Sequence, residues 1–290
     1  MQQSRIRTLA AAGAGAVVAA AGIAATTAPV QAAAGYAPAD SALIHPGTMM
    51  YTDGAQCTAN FVYTDGAGNT YVGYAAHCAG TGAATDTDGC STQSLPLGTR
   101  VTFSEGGSLV GGGTQVGAGT LAYSSWITMQ QKSEKDANAC AYNDLALVKV
   151  DSADVGKVNP SVPFWGGPTG IDTDGTAAGD RVFTYGNFSL RAGVEPLKPH
   201  TGASVGDDPA DGGWSHPVYT VTPGIPGDSG SGFLSADGSA LGTLSTVAIA
   251  PLAGSNGVGD LARELAYAQA NSGIAGLSLV NGTEPFSPIL

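Results

Sequence analysis

Residues 227–232 read Gly-Asp-Ser-Gly-Ser-Gly, a turn composition that can present a hydroxyl and backbone N–H groups at one point. Glycine permits backbone angles that other residues avoid, so two amide N–H groups near Ser229 can converge where a carbonyl oxygen would gain negative charge. A serine hydroxyl is a poor nucleophile until a base takes its proton, so the chemistry calls for an imidazole and a carboxylate to orient it. Both exist. His77 stands in Ala75-Ala76-His77-Cys78, and Asp144 stands in Asn143-Asp144-Leu145-Ala146-Leu147-Val148-Lys149-Val150. Singly, each has an ordinary explanation: turn chemistry for the Gly/Ser stretch, a strand-end histidine, a polar strand start.

The elements that must position these groups read as short strands. Apolar or alternating runs at 59–63, 70–74, 100–103, 120–129, 145–150, 181–185, 218–221 and 241–249 are broken by Gly, Asp, Asn and Pro, as in Thr64-Asp65-Gly66. Such spacing predicts an all-β sandwich or barrel. Residues 79–89 and 106–119 read as polar, Gly-rich loops, and residues 151–178 as a connector between two strand-rich halves. Asp260 begins a run of helix formers with Leu261 and Leu265 one turn apart and a stop near Gly273, which predicts a terminal α-helix.

Residues 1–34 read as an export signal: Arg5 and Arg7 precede an Ala-rich apolar run, with small residues at Ala32 and Ala34 as two candidate cleavage points. The formal net charge of the 290 residues is −12, an acidic balance that excludes nucleic acid and anionic membrane as partners, since those need clustered Lys and Arg. Four cysteines, an even count in an exported chain, predict two disulfides. The expected pairing is Cys57 with Cys78 and Cys90 with Cys140, the first because both lie in runs that a hairpin would bring together. Cys78 directly follows His77 and the spacings match no common zinc pattern, so no metal is expected.

Taken in order, the Ala-Ala-His-Cys, Asn-Asp-Leu-Ala-Leu and Gly-Asp-Ser-Gly stretches resemble the chymotrypsin-like serine protease family, and the Ala-rich leader is similar to those of secreted actinobacterial members. The resemblance implies two antiparallel six-stranded β-barrels with a C-terminal α-helix. Residues 35–155 would carry His77 and Asp144, and residues 156–290 the connector, Ser229 and the helix. It implies His77 as general base and acid, Asp144 as its partner, Ser229 as nucleophile, and Gly227 and Ser229 as oxyanion donors. Asp228 would shape the oxyanion loop through a cation that the sequence does not identify. Ser245 resembles the serine beginning the strand that pairs with substrate backbone.

Pro223 occupies the position where trypsin-like members carry a pocket-floor Asp, and Val247 stands where it would narrow the pocket entrance. Uncharged residues before the scissile bond are therefore expected. No Ile-Val-Gly-Gly start follows the leader, and no cysteine lies beyond Cys140 to brace the pocket. The implied protein is a secreted, monomeric serine endopeptidase that needs no cofactor and takes peptide or protein as substrate. Two alternatives stand beside it: an inactive binding homologue on the same fold, and a secreted esterase. The second expects a Gly-x-Ser-x-Gly elbow, and position 231 is Ser. His45, His200 and His216 read as surface turn residues, with His216 near enough to Trp214 to edge the cleft.

Overall fold

A computed structural model of the chain describes residues 35–82, 86–107, 111–186, 198–221, 223–247 and 255–288. The export signal and the side chain of Val247 lie outside the described residues. Seven strands come first: β1 (Met49–Thr52), β2 (Ala55–Thr58), β3 (Val62–Thr64), β4 (Thr70–Ala75), β5 (Arg100–Glu105), β6 (Thr114–Ser124) and β7 (Leu145–Val150). Asp53 and Gly54 join β1 to β2 with φ of 48° and 87°. Positive φ at both central residues is the two-residue turn whose twist matches that of paired strands.

Strands β8 (Arg181–Tyr185), β9 (Pro199–Ser204), β10 (Ser215–Thr220), β11 (Gly232–Leu234), β12 (Ala240–Val247) and β13 (Asn256–Asp260) follow. They close an antiparallel barrel in the order β10-β13-β12-β11-β8-β9, which is one of the two six-stranded barrels expected. The other sheet departs from that expectation. It has eight strands in the order β14-β3-β4-β7-β6-β5-β1-β2, and no pairing among the described residues joins its ends. The extra edge is β14 (Ser278–Leu279), which returns from the end of the chain to pair with β3. A two-residue strand carries almost no pattern of its own, so only the partner edge determines it.

Strand β7 shows why the sheet is buried on both sides. Its alternate residues Ala146, Val148 and Val150 enter one apolar cluster, while Leu145 and Leu147 enter another with Phe61, Trp165 and Phe183. A period of two thus divides one strand between two cores. The barrel has its own smaller core around Val182, Phe233, Leu241 and Val258.

Two readings of the sequence are corrected. The run 120–129 is strand only to Ser124; α1 (Ser125–Lys132) and a second short helix α2 (Ala137–Tyr142) follow. Trp126, Ile127 and Thr128 favour strand by propensity, but Trp126 and Met129, three apart, are both buried in the first core. Ser133, at φ 54°, closes α1 by donating its N–H to the Gln130 and Met129 carbonyls. The loop expected over 106–119 is strand from Thr114, and Gly119 is there for close packing: a Cβ would lie 2.4 Å from the Lys149 carbonyl oxygen.

The predicted terminal helix is present as α3 (Leu261–Asn271). Asp260 caps it, Oδ1 accepting from the Arg263 N–H at 2.7 Å, and Leu261, Leu265 and Ala268 turn one face into the second core. Both disulfides form with the expected partners, Cys57–Cys78 and Cys90–Cys140.

Candidate active site

His77 sits on a single 3₁₀ turn, Ala76–Ala79, directly after β4. Three attachments fix that turn: the Ala76 N–H donates to the Asp144 carbonyl at 2.6 Å, Cys78 is tied to Cys57 on β2, and Gly80 donates its N–H to the His77 carbonyl at 2.8 Å. The Trp126 ring lies 6.4 Å from the imidazole, centroid to centroid, and walls one side of it.

Asp144 enters the site from the start of β7 and is 2% exposed. Its carboxylate receives three donors: the His77 N–H on Oδ1 at 2.8 Å, the His77 Nδ1 side on Oδ2 at 2.6 Å, and the Ser245 hydroxyl on Oδ2 at 2.5 Å. An acceptor-only group with three converging donors is well satisfied although buried. Its contact with Nδ1 fixes the proton there and leaves Nε2 as the free lone pair. Burial disfavours a charged imidazole, but the Asp144 carboxylate, by charge and by hydrogen bond, outweighs it, so His77 holds a proton above its ordinary range.

Ser229 comes up against the same elements through its backbone. Its carbonyl accepts the Thr58 N–H of β2 at 2.8 Å, and the next amide, Gly230, donates to the Leu244 carbonyl of β12 at 2.7 Å. Leu244 is the neighbour of Ser245, which bonds Asp144. Gly230, at φ 91°, must be glycine for this approach: a Cβ would stand 2.4 Å from the Thr58 oxygen and 2.9 Å from the Ala75 nitrogen. No hydrogen bond joins the Ser229 hydroxyl to His77 in this structure; the turn is seated beside the histidine by main chain.

The Gly227 carbonyl accepts from Thr58 Oγ1 at 2.7 Å and from Gln56 Nε2 at 3.2 Å, which turns that peptide's oxygen toward β2. The Asp228 N–H is taken by Ile225 O and the Ser231 N–H by Asp228 O. The amides of Gly227 and Ser229 donate to no other group among the described residues. Two such N–H groups flanking Asp228 can serve an oxygen that gains charge.

Of the remaining sequence-predicted residues, Ser245 is in the site. Pro223 is exposed and does not line the small recess beside the turn, which is formed by Gly186, His200, Gly224, Asp228 and Asn256 among others. Asp228 is 3% exposed. A Cβ at Gly186 would lie 2.7 Å from Asp228 Oδ1 and 3.5 Å from His200 Cε1, so His200 belongs to this recess and is not a free surface turn.

His216 is likewise corrected. It is 1% exposed, with Nδ1 2.7 Å from Asp207 and Nε2 2.9 Å from Asp260, so it is no surface turn residue. Its proline neighbour hid this, since Pro217 lies inside β10. Glu264 was also missed: it is fully buried and accepts the Asp144 N–H on Oε1 at 2.9 Å. The signal was available, because an acid three residues after Leu261 shares that residue's inward face.

No family model matches this sequence, and no curated protein matches it. Solved structures are similar to it. Thermobifida fusca Protease A is 18% identical at a TM-score of 0.46, covering 83% of this chain and 99% of its own. Nocardiopsis protease is 18% identical at 0.45, covering 82% and 98%. The thermostable serine protease AL20 from an extremophilic microorganism is 18% identical at 0.49, covering 81% and 100%. The solved structures to which this chain is similar are thus chymotrypsin-like serine proteases, several of them actinobacterial, at low sequence identity.

Proposed function

We propose that this protein is a secreted serine endopeptidase working through Ser229, His77 and Asp144. The observation that carries the reading is the Asp144 carboxylate gathering both His77 donors and the Ser245 hydroxyl at 2.5–2.8 Å, next to a serine turn with two undirected amides. Holding Nδ1–H against a buried carboxylate leaves Nε2 able to take a proton, and stabilises the imidazolium that results. In the proposed reaction the Ser229 hydroxyl donates to Nε2 as substrate arrives, a bond that commonly tightens on binding.

In the first half-reaction Ser229 Oγ bonds to the peptide carbonyl carbon while His77 Nε2 takes its proton. The carbonyl oxygen becomes an oxyanion between the Gly227 and Ser229 N–H groups; one such donor is worth about 2.7–4 kcal/mol of barrier. Collapse breaks the C–N bond, and His77 returns the proton to the leaving amine. Water then attacks the acyl-enzyme, its proton passing to His77 and on to Ser229 Oγ, which releases the acid. These steps use only side chains and amides of this chain.

Uncharged residues remain the proposed preference before the scissile bond; this rests on the sequence resemblance, since Pro223 is exposed and does not line the recess beside the turn. Two disulfides fit an oxidising compartment, and among the described residues no helix is long and apolar enough to cross a membrane.

The test is covalent labelling of the folded mature protein by a fluorophosphonate, with the site read by mass spectrometry. The expected result is label on Ser229, lost in Ser229→Ala, together with cleavage of peptide amides carrying Ala or Leu faster than those carrying Arg. A folded protein that takes no label would establish the inactive alternative. Label with turnover of esters but not amides would establish the esterase.

A further inference from the structure

Glu264, on α3, reaches the main chain of Asp144. It is 0% exposed, yet it projects from α3 to accept the Asp144 N–H at 2.9 Å. Its path crosses β13 at Gly259, where a Cβ would lie 2.7 Å from Oε1. A glycine there keeps the passage open. Oε2 makes no well-formed hydrogen bond, although the Thr243 hydroxyl comes near. A carboxyl brought wholly out of water to make one main-chain contact is costly, and that contact is with the residue that orients the imidazole.

The Asp144 main chain is therefore held at both ends, its N–H by Glu264 and its carbonyl by the Ala76 N–H at 2.6 Å. Asn143 gives no help from its side chain, whose Oδ1 and Nδ2 have no partner. We propose that Glu264 is a positioning residue of this site: by accepting the Asp144 amide it sets the peptide from which the carboxylate is aimed at His77 Nδ1. The inference rests on the hydrolase reading above.

The groups facing Glu264 are Asp144 from β7, Tyr63 from β3, Tyr123 from β6 and Asp260 at the head of its own helix. Burial, opposed by the Asp144 amide and reinforced by the Asp144 charge, holds its carboxyl well above the usual range. Only the acceptor oxygen is needed, so an amide can replace it.

Two substitutions separate this from packing. Glu264→Gln keeps an acceptor at the same place; Glu264→Met keeps the volume and removes it. For Glu264→Gln, kcat on a peptide amide should stay within about twofold of wild type, with the NMR titration midpoint of the His77 ring unchanged. For Glu264→Met, kcat should fall about 10- to 100-fold with KM within about twofold, the effect expected of a misaimed group. Its His77 midpoint should also move down as the Asp144 contact loosens.

Wild-type kcat and midpoint in Glu264→Met, or an equal fall in both variants, would overturn the proposal. If Glu264→Met does not fold, Glu264→Gln decides: a tenfold loss overturns it and retention supports it. A wild-type protein with no turnover defeats the hydrolase reading alone, because the His77 titration still reports on Glu264.

Discussion

Replacing His216 by Ala should destabilise the folded chain by about 3 kcal/mol near pH 6, and the loss should depend on pH in a defined direction. His216 is fully enclosed, and each ring nitrogen meets a carboxylate, Asp207 at 2.7 Å and Asp260 at 2.9 Å. Both contacts are hydrogen bonds only if the ring carries two protons. Although burial works against that charge, the hydrogen bonds to Asp260 and Asp207 and their charges raise its affinity for the second proton. Breaking a buried pair from one side costs about 3–5 kcal/mol because the other partner is stranded. Here the side chain of Asp207 is 29% exposed and that of Asp260 10%, so water recovers part of the loss and the lower figure applies.

The pH dependence follows from the two directions of shift. His216 is raised above 6.5, so its contribution is complete below pH 6.5 and is lost as pH rises through the raised value. Asp207, affected first by burial, which raises it, is carried below 3.8 by hydrogen bonds from His216 and Thr176. Its contribution is complete above pH 3.8 and is lost as pH falls through the lowered value. The gap between wild type and His216→Ala should therefore be widest from about pH 4 to 6.5 and should narrow on the alkaline side. Thermal unfolding followed by circular dichroism should show a fall of roughly 6–12 °C at pH 6, taking about 2–4 °C per kcal/mol for a domain of this size. A fall under about 2 °C there, or a gap that widens toward pH 9, would refute the bridged imidazolium.

Asp144→Asn should lower kcat by about 10⁴-fold, the size seen when this change is made in a Ser-His-Asp site. An amide nitrogen facing Nδ1 sends the ring proton to Nε2 and so removes the base. For the wild type, the raised His77 places the acid limb of a kcat/KM profile above pH 6.5, and a flat profile through that region would exclude His77 as base. The disulfides close loops of 50 and 21 residues. Chain entropy then gives about 4 kcal/mol for Cys90–Cys140 and about 3 for Cys57–Cys78, measurable as shifts in denaturant midpoint. Replacing the Cys57–Cys78 pair by Ala should cost more activity despite its smaller stability loss, because Cys78 follows His77 directly. Equal residual kcat in the two paired variants would contradict this.

What the sequence determined by itself was local. Asp144 before an alternating run, His77 before a cysteine, Ser229 among glycines and Asp260 before helix formers are short-range patterns, and each has the backbone setting its neighbours imply. The helix α3 was legible for the same reason; the cysteine pairs join segments 21 and 50 residues apart, and Cys57 and Cys78 meet across β2 and the 3₁₀ turn, not in a hairpin.

Tertiary packing decided the rest. Burial of Trp126 and Met129 turned a strand-like run into α1, and an open edge on β3 recruited β14. A proline-flanked histidine was enclosed between Asp207 and Asp260, contributed by separate segments. Glu264 was brought to the Asp144 amide across 120 residues of chain. A buried polar group is stable only where a distant partner completes its hydrogen bonds, and the identity of that partner is a property of the folded chain, not of the residues beside it.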